Sequence, residues 1–135
     1  MITLHTTRHQ LEAFIAQVFP YIELAKTTRL KNVRPDSSIR EDYLSATLVN
    51  CVLEEVQEKM VRKFHTTKKP TIKFEWSNAQ GVVLYKTLQY LHDNSNNIFL
   101  GMTRADWIGQ LDRELFREKL YEQRHCMDGA FERFG

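Results

Sequence analysis

A chain of 135 residues, 42% apolar and 27% charged, has material for one hydrophobic core and is too apolar for general disorder. Its 19 basic and 17 acidic residues leave a formal charge of +2, too balanced to draw in a polyanion through the field of the whole chain, so any nucleic-acid surface has to be local. Only 5 Gly and 3 Pro argue against a sandwich or barrel of many tight turns and favour long helices.

Ile2, Thr3 and Leu4 alternate as a short strand, and Thr6 or Thr7 can cap the helix that follows. Leu11, Phe14, Ile15, Val18 and Ile22 recur at helical spacing, with a kink or a fresh start expected at Pro20 and an end near Leu30. Pro35-Asp36 marks a connection. Ser38 with Glu41 then fits a capping box. Behind it Ile39, Tyr43, Ala46, Val49, Leu53, Val56, Met60 and Phe64 form one apolar stripe, widened by Leu44, Leu48 and Val52. A face this broad is expected to be buried by more than one neighbour. Glu41 and Asp42 at its start and Lys59, Arg62 and Lys63 near its end follow the helix dipole.

Ile72, Phe74 and Trp76 alternate with Thr71, Lys73 and Glu75, the period of a half-buried strand. Its partner is expected to be Met1–His5 or the same strand of a second copy, because unpaired backbone groups are costly to bury. Ser77 and Gln80 make a second capping box, followed by Val82, Val83, Leu84, Tyr85, Leu88 and Leu91. Ile98, Phe99, Leu100 and Met102 are expected to return to the core. Thr103 should cap a last helix whose inner side carries Trp107, Ile108, Leu111, Leu115 and Leu120. The expected fold class is mainly α: a four-helix domain over 1–124 with one or two short β-strands (Ile2–Leu4, Thr71–Trp76), and a loosely ordered tail over 125–135.

Two cysteines with no CxxC pair make no disulfide framework, and Cys51, inside an apolar helical stretch, reads as a buried small hydrophobe. The opening residues lack the pattern of a secretion signal, and no apolar run approaches the roughly 20 residues of a membrane span. A cytoplasmic setting is therefore expected.

Chemistry-bearing patterns are few. Lys59, Arg62, Lys63, Lys68, Lys69 and Lys73 form an acid-free basic segment that would attract phosphates, and Phe74 and Trp76 follow it as candidate stacking faces. A second basic stretch, Lys26, Arg29, Lys31 and Arg34, would strengthen it if the two met. Against this, the end of a helix favours basic residues in any case, and alternation with Lys73 and Glu75 turns both rings toward the core. Glu122-x-x-His125 is a single copy of a pattern that di-iron bundles use in pairs, so no metal or cofactor is expected. His125 and Cys126 are sequence neighbours that rarely face each other on a helix, and no nucleophile or phosphate-binding motif is present. No catalytic residue is nominated. The expected function is non-enzymatic protein–protein contact, with a protein partner or with itself as a homodimer. A nucleic-acid-binding role for Lys59–Lys73 is the alternative.

Overall fold

Thr7 ends the first strand and begins the first helix. Its side chain accepts from Gln10 N–H while the Gln10 side chain reaches back to the Thr7 backbone, a reciprocal cap. The computed structural model describes residues 1–31, 40–91 and 97–134, with side chains for all of these except 40 and 117–134. In chain order the elements are β1 (Ile2–Thr7), α1 (Arg8–Gln17), α2 (Phe19–Lys31), α3 (Arg40–Thr66), β2 (Thr71–Trp76), α4 (Asn78–Tyr90) and α5 (Ile98–Phe134). Among the described residues the chain is mainly α, with five helices and one two-stranded antiparallel sheet.

The expected four helices become five because the chain makes a fresh start at Phe19 rather than bending through Pro20. Proline is tolerated in a first turn, where its missing N–H has no intrahelical partner to lose. The middle helix is one continuous element, as its stripe predicts. The cap assigned to Ser38 lies outside the described residues.

β1 pairs antiparallel with β2, Ile2 opposite Trp76 through Thr7 opposite Thr71, so the partner strand comes from the same chain. Alternation sends Ile2, Leu4, Thr6, Ile72, Phe74 and Trp76 to the core, while His5, Thr7, Thr71, Lys73 and Glu75 face solvent. Phe74 and Trp76 stack at 4.9 Å between centroids. Leu11, Phe14, Ile22, Leu53, Val56, Met60, Leu84, Leu88, Trp107 and Leu111 complete the core. Thr6 is buried and accepts Trp107 Nε1–H at 3.2 Å.

Arginines close two helix ends. Arg8 donates to Phe64 O at 2.9 Å and Thr67 O at 2.5 Å, and its guanidinium sits 4.3 Å from the Phe64 ring centroid. Arg104 donates to Leu88 O at 2.5 Å and Gln89 O at 3.0 Å. Each satisfies carbonyls left open by the last turn and places a positive charge where the helix dipole favours it.

The last helix departs most from the sequence expectation. It starts at Ile98, so Thr103 is an interior residue, bonded to Phe99 O at 2.9 Å, and caps nothing. Asn97 does the capping, its Oδ1 accepting Leu100 N–H. Ile98, Phe99 and Met102 lie on the outer side of this first turn and are exposed, not returned to the core. Trp107 and Leu111 are buried as expected. Leu120 and the expected tail, 125–135, fall where side chains lie outside the described residues. No helix among the described residues is long and apolar enough to cross a membrane.

Candidate functional site: the outward face of the third helix

Helix α3 sorts its side chains by rotation about its axis. Ala46, Leu53, Val56 and Met60 are buried. On the same inner half, Asn50 and Gln57 are buried polar groups that meet α2. Asn50 Nδ2 donates to Lys26 O at 3.1 Å, and Arg29 donates to Asn50 Oδ1. Lys26, only 8% exposed, donates to Gln57 Oε1 at 2.9 Å and pairs with Glu23 at 2.8 Å and Glu54 at 3.7 Å. Gln57 Nε2 closes the ring onto Glu23 Oε1 at 3.1 Å. The Lys26 hydrogen bond holds the Glu23 carboxyl below its ordinary value. This network fixes the register of α2 on α3, since a slip of either helix would strand several buried polar atoms.

The opposite side of α3 carries Leu44, Leu48 and Cys51, all exposed, the leucines by 53% and 65%. Spacings of four and three keep these residues on one line along the helix. Glu41 precedes that line by one turn, and Glu55 and Glu58 continue it, all exposed. The result is a short apolar strip with carboxylates at both ends. Leu44 and Leu48, which the apolar stripe assigns to the buried face, and Cys51, which its apolar surroundings assign to the core, are instead exposed. All three lie on the line about half a turn away from Leu53, and nothing among the described residues covers them.

The basic segment is dispersed. Lys59 Nζ donates to Glu75 O and lies 5.1 Å from the Trp76 ring centroid; Lys63 Nζ donates to Lys73 O and lies 5.6 Å from that of Phe74. Helical residues four apart and strand residues two apart advance by similar lengths, about 6 and 6.6 Å, which lets two lysines serve two edge carbonyls. Arg62 lies on the outward side of α3, and Lys68 and Lys69 lie in the connection to β2, all exposed. Lys73 pairs with Glu75 at 3.6 Å. Phe74 and Trp76 are fully buried and offer no stacking face. In the second stretch Lys26 is committed to the α2–α3 network, and Arg34 lies outside the described residues. Lys26 and Arg62 do line one shallow groove, but Glu23, Glu54 and Glu58 line it with them.

Among the described residues no group of three or more His, Cys, Asp or Glu side chains is placed to hold a metal ion. His5 and His9 are on different elements, both exposed. Glu122, His125 and Cys126 have side chains outside the described set. No family model, curated protein or solved structure matches the chain, so the site is read from its own residues.

Proposed function

We propose that this chain works by protein–protein contact, without catalysing a reaction, and that the strip Leu44–Leu48–Cys51 on α3 is its contact face. The observation that carries the reading is the pair of leucines, one helical turn apart, exposed on a helix whose other side buries Ala46, Leu53, Val56 and Met60. Apolar side chains at regular helical spacing and without cover are the usual mark of a surface that another chain completes. The partner is a second protein or a second copy of this chain. The nucleic-acid alternative draws less support, because its two candidate rings are buried and two of its lysines serve the β2 edge.

Site-specific photocrosslinking tests the reading. A photoreactive residue at position 48, in cells expressing the chain, is expected to give adducts of discrete mass. The same residue at Thr71, on the exposed polar face of the sheet, is expected to give none. Equal labelling from both positions, or none from either, contradicts the proposal.

A further inference from the structure

We infer that the occupant of the α3 strip is a basic amphipathic helix of another protein, apolar along one line and bearing Lys or Arg one turn beyond each end of it. The inference rests on the contact reading above and specifies the partner's chemistry.

The strip itself sets the apolar part. Leu44, Leu48 and Cys51 offer about two turns of helix surface, and a partner helix answers with side chains at the same spacing. The ends set the charge. Exposed Glu41 stands at one end and exposed Glu55 and Glu58 at the other. A carboxylate at the border of an apolar contact favours an opposite charge and costs affinity beside a like one.

The same ends argue against a second copy. Pairing two α3 helices in parallel sets Glu55 against Glu55 and Glu58 against Glu58. Pairing them antiparallel about Leu48 sets Glu41 against Glu55. The antiparallel register that brings Glu41 to Arg62 sets Leu48 opposite Glu55, and the one that brings Leu44 to Leu48 sets Glu41 against Cys51, so neither matches the charges and the apolar side chains together. A basic helix from another protein meets both demands at once. On both edges of the sheet side chains already occupy strand groups, the His5 N–H and C=O on one and the Lys73 and Glu75 carbonyls on the other, which turns recognition toward helix against helix.

The test is a titration of the full chain with two synthetic helical peptides, followed by fluorescence anisotropy. Both carry leucines at the spacing of the strip; one is bordered by Lys and Arg, its twin by Glu. The basic peptide is expected to bind and to weaken as salt rises. Leu48→Glu should lower its affinity about ten- to a hundredfold. The double reversal Glu55→Lys with Glu58→Lys should invert the preference, so that the Glu-bordered twin binds better. Both changes are at exposed positions, and circular dichroism checks that each variant is folded. Equal binding of the two peptides, or binding indifferent to both variants, overturns the inference. If position 48 crosslinks to a partner while neither peptide binds, the contact reading stands and this inference falls. If position 48 yields no adduct and neither peptide binds, both fall.

Discussion

Gln110 of α5 holds the His5 peptide of β1 at both ends: its Nε2 donates to His5 O at 2.8 Å, and its Oε1 accepts His5 N–H at 2.7 Å. One carboxamide thus stands where the peptide of a third strand would stand. Lys59 and Lys63 of α3 do the corresponding work on the carbonyls of the β2 edge. Open edges recruit other chains, and these side chains, from the helices that flank the sheet, occupy the His5 peptide groups on one edge and two carbonyls on the other.

Gln110→Ala should therefore destabilise the fold by about 1–2 kcal/mol, two hydrogen bonds' worth, and free the His5 amide to exchange. Hydrogen exchange followed by NMR reads this directly. Unchanged protection at His5 would show that the carboxamide is not what occupies the edge.

Gly81, on α4, meets β1 at close range. A Cβ on Gly81 would lie 2.6 Å from Ile2 Cδ1, with Ile2 itself buried. Gly81→Ala is expected to cost about 1–3 kcal/mol from overpacking, against roughly 1 kcal/mol returned by the better helix former. Ile2→Val removes the clashing methyl, so a double-mutant cycle in urea should show the two changes coupled, the pair less damaging than their sum. Additive costs would contradict the close approach.

Glu23 gives the fold an acid-side dependence. Its carboxylate accepts from Lys26 at 2.8 Å and from Gln57 at 3.1 Å. The Lys26 hydrogen bond lowers its pKa from 4.5, against a smaller opposing push from burial. The folded state thus prefers the ionised form. The contribution is complete above the unfolded value and fades as pH falls through the lowered folded one. The stability gap between the natural chain and Glu23→Gln, measured by urea unfolding, should narrow between pH 7 and pH 3. A gap that stays constant over that range would contradict the assignment.

Much of the frame was legible from residue pattern. The 71–76 alternation, the Ser77–Gln80 cap and the long middle helix each follow from local rules, and local rules were enough because no tertiary contact opposes them. The outward strip was harder. Leu44, Leu48 and Cys51 lie within the same apolar run as Leu53 and Val56, and hydrophobicity alone cannot say which part of a wide face a neighbour covers. One signal was available: Asn50 and Gln57, seven apart, share the flank that meets α2 and so narrow the buried arc. The start of α5 misled for a related reason. Ile98, Phe99 and Met102 are apolar, yet the helix begins before Thr103 and turns them outward. The role of Gln110 depends on a pairing across 105 positions, which no local pattern announces.

The central claim is that the α3 strip lies in water in the free chain, and the unfolding free energy of Leu48→Glu tests it most directly. A side chain 65% exposed can be replaced within about 0.5 kcal/mol, whereas Leu53→Ala, on the buried side of the same helix, should cost about 2–5 kcal/mol. Urea unfolding is predicted to leave Leu48→Glu at the stability of the natural chain while Leu53→Ala falls well below it. A loss at Leu48 as large as that at Leu53 would place the strip inside the free chain's own core and contradict the account.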